Sequence, residues 1–267
     1  MKAMEFNGRW VLVTGASSGI GREMAVQLAR DHGAHIVAVA RRGDRLDALK
    51  RDLEALGSKV ETIVADLSKI EEVDRAIEKA TAGRDLYAAI LNAGVTHFGP
   101  YQELPWADFE VMLNTNVRAA VRMTTELLPK VERHHGGVML VSSLSGLTPV
   151  PYQTAYSATK AFLISYGACL WHELKGRQVS LTTYAPGGVA TEMTAGKRFK
   201  PLRGWLMDVE QVARDGIDAF RRRRDLFIPG LTYRVGTALL GVLPRRLVVG
   251  SIAAAYRRAL VKTTPNP

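Results

Sequence analysis

The sequence predicts an α/β chain: a doubly wound parallel sheet with helices on both faces, in one domain, followed by a helical C-terminal extension. Three observations predict it. Short apolar runs alternate with longer amphipathic stretches through residues 1–230. The first run, Trp10–Thr14, ends at a glycine-rich turn that opens a helix. No linker, low-complexity tract or internal repeat breaks the alternation, and strands separated by helices pair in parallel through right-handed crossovers.

The elements follow in order. Trp10–Thr14 (WVLVT) is continuously apolar, as suits a strand covered on both faces. Beyond it, Ile20, Met24 and Leu28 recur at helical spacing until Gly33 supplies a stop. His35–Ala40 (HIVAVA) is the second strand, and residues 44–56 set Leu46, Leu49, Leu53 and Leu56 along one helical face before Gly57. Residues 60–65 form a strand, 68–82 a helix and Leu86–Leu91 a strand. Pro105 suits the start of a long helix running toward Val131. A strand at 138–141, a helix at 152–175, a strand at 179–184, a helix at 208–223 and a short strand at 226–228 complete the domain.

In 267 residues, 47% apolar content is enough for a buried core, and 23% charged residues argue against disorder. The single cysteine, Cys169, rules out a disulfide framework and reads as a small buried hydrophobe. No Cys/His cluster has metal-ligand spacing, so no metal is expected. The first eight residues lack an apolar signal core, and no uncharged run reaches the ~18 residues of a membrane span, so a cytoplasmic location is expected. The net charge of +10 is local. Residues 1–196 carry 21 basic and 21 acidic residues, whereas 197–267 carry 15 and 5, with none acidic after Asp225. A nucleic-acid binder would carry its charge as a stripe across the domain, so no nucleic acid is expected.

The chemistry begins at the first turn. In Thr14-Gly15-Ala16-Ser17-Ser18-Gly19-Ile20-Gly21 the glycines allow a sharp bend and close approach of a diphosphate to a helix N-terminus. The G-x-x-x-G-x-G spacing alone could be a tight turn; its place after the first strand gives it weight. The second strand ends Ala40-Arg41-Arg42, with no carboxylate for a ribose 2′-hydroxyl and two arginines that suit a 2′-phosphate. NADP is therefore expected over NAD. Asp66-Leu67 and Asn92-Ala93-Gly94 follow the third and fourth strands, on the rim where a dinucleotide would lie. Tyr156 and Lys160 are four residues apart in a helical stretch, so phenol and ammonium share a face. A neighbouring ammonium is expected to lower the phenol's pKa toward a working acid/base range. Ser143, thirteen residues earlier, ends a strand where its hydroxyl could meet a substrate carbonyl.

Together these residues resemble the short-chain dehydrogenase/reductase family over roughly residues 8–230. Five ordered motifs carry the likeness: TGASSGIG, the Asp66 site, NAG, Ser143 with YSATK, and PGGVAT at 186–191. The resemblance implies a Rossmann-type fold, NADPH as cofactor, and interconversion of a ketone or aldehyde with an alcohol. It implies that Tyr156 protonates the carbonyl oxygen, that Lys160 tunes it and bonds the nicotinamide ribose, and that Ser143 positions substrate. Asn116 matches the family asparagine that holds a relay water, with Asn114 as its neighbouring alternative. Cofactor contacts would come from Gly15, Ser17, Ser18, Gly19, Ile20, Gly21, Arg41, Arg42, Asp66, Leu67, Asn92, Ala93, Gly94, Tyr156, Lys160, Pro186, Gly187, Val189 and Thr191. Arg41 would read the 2′-phosphate. Ser143, Leu144, Tyr152 and Met193 would line the substrate pocket. A homodimer or homotetramer is implied, and the apolar residues near the cleft point to an apolar or lipid-like carbonyl.

Residues 231–267 are expected to be a separate basic, amphipathic helical extension. On a helical wheel of 245–261, Val248, Val249, Ile252, Ala255, Tyr256 and Ala259 share one face, with Arg246, Arg257 and Arg258 opposite. Packing on the domain or a second subunit is favoured over peripheral contact with a membrane surface, and a lid over the cleft together with 191–201 is a third use. The run Arg221–Arg224 reads as a solvated helix end. Against the reductase stand two other functions: an NADPH-sensing binding protein acting through a partner on the tail, and an NADP-dependent epimerase or dehydratase.

Overall fold

The computed structural model describes residues 1–261; the expectations for 262–267 lie outside the described residues. Seven strands, β1 (Trp10–Thr14), β2 (His35–Ala40), β3 (Val60–Val64), β4 (Leu86–Leu91), β5 (Gly137–Val141), β6 (Ser180–Tyr184) and β7 (Leu226–Phe227), form one parallel sheet. Its order is β3-β2-β1-β4-β5-β6-β7, so the winding reverses between β1 and β4. The crevice at such a reversal, beyond the carboxyl ends of the strands, is where this architecture takes ligands.

Strand alternation divides the core. Val11 and Val13 of β1, with Ile36 and Ala38 of β2, face one side. There they meet Met24 and Leu28 of α1 (Gly19–His32), Leu46 and Leu49 of α2 (Gly43–Glu54), and Ile217 and Phe220 of α8 (Val209–Arg221). Leu12, Val37 and Val39 face the other, against Val73 and Ile77 of α3 (Ile70–Thr81) and Met123 and Leu127 of α5 (Ala119–Glu132). β1, β2, β4 and β5 are thus covered on both faces, which is why they read as apolar runs, whereas the edge strands β3 and β7 keep exposed residues.

The expected helix from Pro105 to Val131 is interrupted. It consists of α4 (Trp106–Leu113), a π-helical turn at Asn114–Arg118, and α5. The wide turn swings Asn116 inward, where its amide accepts from Val95 N (2.9 Å) and donates to Val95 O (2.9 Å) and Thr159 Oγ1 (3.0 Å). A short helical turn, α6 (Leu144–Leu147), and a long helix, α7 (Thr154–Glu173), follow β5. Cys169 is exposed, not buried, because it lies on the outward face of α7. Arg223 is not a solvated helix-end residue either. It folds back to donate to Lys2 O (2.7 Å), Gly136 O (3.0 Å) and Ser180 Oγ (3.0 Å), tying the N-terminus to β5 and β6.

The extension forms α9 (Leu231–Val242) and α10 (Arg245–Val261). The favoured reading of α10 is met within the chain: it packs on the segment Lys197–Trp205, with Val248 and Ala259 buried. Its apolar face is narrower than the wheel suggests, since Ala255 is exposed. In contrast, α9 buries none of its residues, and Leu231, Leu239 and Val242 are 71%, 61% and 81% exposed. Among the described residues no helix is long and apolar enough to cross a membrane, and no group of histidine, cysteine and acidic residues could hold a metal.

Candidate active site

The crevice is built by short-range bonds between strand ends. Thr14, the last residue of β1, accepts the amides of Asn92 (2.9 Å) and Ala93 (3.0 Å) on its hydroxyl, and Asn92 Nδ2 donates back to Thr14 O at 3.0 Å. These bonds hold Asn92-Ala93-Gly94 against the glycine turn. Gly15 adopts φ +69°, a conformation that L side chains rarely take. A Cβ at Gly21 would lie 2.4 Å from Asn92 Nδ2 and 2.6 Å from Gly15 O, so the turn closes only without side chains. The N-cap of α1, Ser18, makes no side-chain bond to the helix. What results is a shallow cradle ending at a helix N-terminus, the donor arrangement a diphosphate requires.

Of the two arginines after β2, Arg42 reaches the glycine turn. Its Nη2 donates to Ser17 Oγ (3.0 Å) and Ser18 Oγ (2.7 Å), while Arg41 is exposed and acts on Asp66 through its charge. Asp66 accepts the Ser68 amide (3.1 Å) and hydroxyl (2.9 Å). Burial opposes its ionisation, but those bonds and the two nearby cations hold its carboxyl below the usual range. Leu67 is buried beneath it. On the opposite rim Pro186 O accepts the Leu144 amide at 2.9 Å, and Val189 bridges to Met207. Thr191 reaches Gly19, whose added Cβ would meet its methyl at 3.2 Å. The glycine turn and the 186–191 segment therefore face one another across the crevice. Glycines suit a cradle for a dinucleotide, and the residues present fit NADP(H).

Tyr156 and Lys160 share the inward face of α7, beside the end of β5. Ser143, the N-cap of α6, stands beside the Tyr156 phenol. Lys160 is buried; its Nζ donates to Val141 O at 2.8 Å and lies 5.7 Å from the Tyr156 ring centre. Ser142 Oγ donates to Lys160 O at 2.8 Å, and α6 passes so close that a Cβ at Gly146 would stand 2.6 Å from that same carbonyl. Asn116 is further back, its side chain spent on Val95 and Thr159, where it fixes both the fourth-strand loop and α7.

The expected lowering of the phenol pKa is not met. Burial pushes Tyr156 up to about 12, with nearby Ser143 pulling the other way. The ammonium is turned to the Val141 carbonyl rather than to the phenol oxygen, so it does not offset the cost of burying a tyrosinate. Burial likewise pushes Lys160 down to about 8. At neutral pH the phenol keeps its proton and the lysine keeps its charge, the forms suited to giving a proton to a carbonyl oxygen. As pH rises through about 8 the ammonium is lost while the phenol remains protonated. In the reductive direction kcat/KM for the cofactor, which reports the free protein, is expected to fall above that pH. A profile flat to pH 10 would contradict this.

An aromatic cluster joins the loop after β4 to the extension. Phe98, buried, meets Phe199 (centroids 4.9 Å) and Tyr256 of α10 (5.3 Å). Tyr152 precedes α7 in a left-handed conformation (φ +67°), held by Gly99 N donating to its carbonyl (2.9 Å) and Arg257 Nε to its hydroxyl (3.3 Å). Strain of this kind persists only where surroundings impose it. Leu144 is partly buried near Gly187 and Tyr233, and Met193 is 43% exposed at the outer edge. Sequence reasoning missed Thr14, Arg45, Glu192 and Phe199. Thr14 opens the first motif and Glu192 adjoins the last, which was the available signal; the others are identified only by what the fold brings beside them.

Comparison with known proteins agrees with this architecture. The family model for short chain dehydrogenase matches residues 9–201. An uncharacterized oxidoreductase of Myxococcus xanthus is 39% identical over 199 residues, covering 73% of this chain and 78% of that protein. A very-long-chain 3-oxoacyl-CoA reductase-A of Danio rerio is 37% identical over 194 residues, covering 70% of this chain but only 60% of its own length. A short-chain dehydrogenase from Sphingobium yanoikuyae, solved in complex with NADPH, superposes with a TM-score of 0.78 at 26% identity, covering 88% of this chain and 96% of that one. Matched along most of its sheet and through both rims of the crevice, the chain belongs to the short-chain dehydrogenase family of oxidoreductases.

Proposed function

We propose that this protein is an NADP(H)-dependent oxidoreductase that reduces an apolar, lipid-like ketone or aldehyde to its alcohol, or runs the reverse oxidation. The observation that carries the reading is the pair Tyr156 and Lys160 on one face of α7, with the buried ammonium 5.7 Å from the phenol ring centre and Ser143 beside the phenol. When bound, NADPH supplies the hydride. Ser143 and Tyr156 together hold the carbonyl oxygen, and Tyr156 gives it the proton as charge develops there. Lys160, charged below about pH 8 and held on Val141 O, would bond the nicotinamide ribose. Gly15, Ser17, Ser18, Gly19, Ile20 and Gly21 take the diphosphate, with Arg42 at the adenosine end and Asn92, Thr191 and Val189 along the crevice. Asn116 acts through Thr159 and Val95 as a positioning residue.

The substrate class is supported by Phe98, Phe199 and Tyr256, which roof the cleft with aromatic surface, and by the acyl-CoA reductase among the relatives. Loss of NADPH absorbance with a panel of 3-oxoacyl thioesters and bulky ketones tests it. Turnover of long-chain members over short, polar ones supports the reading; turnover of none of them overturns it.

The extension has a double use. α10 belongs to the cleft cover, whereas α9 meets an anionic membrane surface. Leu231, Val235, Leu239 and Val242 form one outward stripe, continued by Leu243 and Leu247, with Arg245 and Arg246 alongside and no acidic residue after Asp225. In a symmetric pairing of two copies those arginines would oppose each other; anionic lipid neutralises them. Binding to anionic vesicles is expected, weakened at least about tenfold by the pair Leu239→Glu and Val242→Glu, with co-sedimentation as the measurement. Equal recovery of both proteins in the supernatant would overturn it. A cytoplasmic location at such a surface belongs to the same proposal, as does subunit pairing through the outward face of α7, where Phe162 is 44% exposed.

A further inference from the structure

Glu192 lies one residue beyond the PGGVAT motif, and the chemistry above makes no use of it. Its carboxylate nevertheless stands at the centre of a basic cluster. Arg42 Nη1 donates to Glu192 Oε2 at 2.8 Å, and Arg45 pairs with Oε1. The same Arg42 holds Ser17 and Ser18, and Ser17, Ser18, Arg45 and Glu192 line one cavity of about 330 Å³ beside the start of α1. The side-chain bonds from the two arginines pull the Glu192 carboxyl down to about 2, so it is charged at any working pH. Two guanidinium groups and two hydroxyls converge there, a donor set that suits a phosphate at least as well as a carboxylate.

We propose that Glu192 is a cofactor-selectivity residue: its carboxylate occupies the arginine pair that a 2′-phosphate would take, and a 2′-phosphorylated adenosine displaces it. The inference rests on the NADP(H) reading above. β2 ends at Ala40 and contributes no acid to this corner, so the carboxylate found there comes from across the crevice. Carboxylate and phosphate cannot both sit on Arg42 without strong repulsion. An adenosine with a free 2′-hydroxyl carries no such charge and leaves the Glu192 pair intact.

Displacement has a structural consequence. Glu192 opens the 3-10 turn Glu192–Thr194, capped by Thr194 Oγ1 on the Thr191 amide at 3.1 Å. That turn leads into Lys197–Trp205, which carries Phe199 onto Phe98. A phosphate bound at the adenosine end therefore releases one anchor of the segment that covers the substrate end.

The test is equilibrium titration of NADPH and NADH into the full chain, wild type against Glu192→Gln and Glu192→Asp. Exposed pairs contribute little individually, so Glu192→Gln is expected to tighten NADPH by about three- to tenfold and to leave NADH within about twofold. Glu192→Asp keeps the charge but is too short to span both guanidiniums. It is expected to move NADPH in the same direction by less, whereas a mere effect of local charge would leave it like wild type. Hydrogen exchange gives the second readout: amides of 192–205 should exchange faster with 2′,5′-ADP than with 5′-AMP. Unchanged NADPH affinity in Glu192→Gln, an equal gain for NADH, or equal exchange with the two nucleotides overturns the proposal while the cofactor reading stands. A wild type that binds NADH as tightly as NADPH overturns the cofactor reading itself.

Discussion

Tyr156→Phe is expected to lower turnover by about a thousandfold, the usual range for removing a positioned acid, while NADPH affinity changes less than about threefold. The substitution deletes one oxygen and keeps the ring that lies 5.7 Å from Lys160 Nζ. The crevice walls are made by Thr14, Asn92 and the 186–191 segment, none of which depends on that hydroxyl. What is lost is the only proton held at the Ser143 position, since the serine hydroxyl is too weak an acid to replace a phenol. Single-turnover measurement of product, alongside fluorescence titration of NADPH, separates the two effects. Turnover within tenfold of wild type would remove Tyr156 from the chemistry; loss of NADPH binding would make it a structural residue.

Gly21→Ala is the second large effect, and it acts on a different part of the site. The added methyl would stand 2.4 Å from Asn92 Nδ2 and 2.6 Å from Gly15 O. The amide could rotate away, but the carbonyl is backbone in a turn with φ +69° and cannot. Relief requires the turn to open away from α1. Overpacking of this kind costs about 1–3 kcal/mol, or several degrees of Tm in a domain of this size. Because the same turn forms the diphosphate cradle, NADPH affinity is expected to fall by at least about thirtyfold, equivalent to about 2 kcal/mol. Gly196→Ala is the control, since nothing lies within 4 Å of a Cβ there. Thermal unfolding and cofactor titration on both variants check the expectation, and a Gly21→Ala protein with wild-type Tm and affinity would refute it.

That Tyr156 and Lys160 share a face follows from helical geometry alone, and they do share one. The direction of the phenol's pKa does not follow, because it depends on where the ammonium points. Val141 O, brought in from a neighbouring strand, takes that proton donor. In the same way, the sequence places two adjacent arginines at a strand end, and only the folded chain shows that Arg42 is the one bonded to Ser17 and Ser18.

What the sequence determined by itself was the order of elements, the parallel sheet and the rim on which the motif residues gather. Those depend on local periodicity and on the short turns at strand ends, which neighbouring residues control. Even there the helix from Pro105 broke into a π-helical turn, because the side chain of Asn116 bonds residues 21 and 43 positions away. Only the tertiary structure decided that Cys169 faces outward, that Arg223 is a tie rather than a solvated end, and that α10 packs on Lys197–Trp205 while α9 keeps its leucines exposed. Each of these is a question of which apolar or polar face finds a partner far along the chain. Periodicity marks that a face exists; the partner that covers it, or the lack of one among the described residues, is a property of the folded whole.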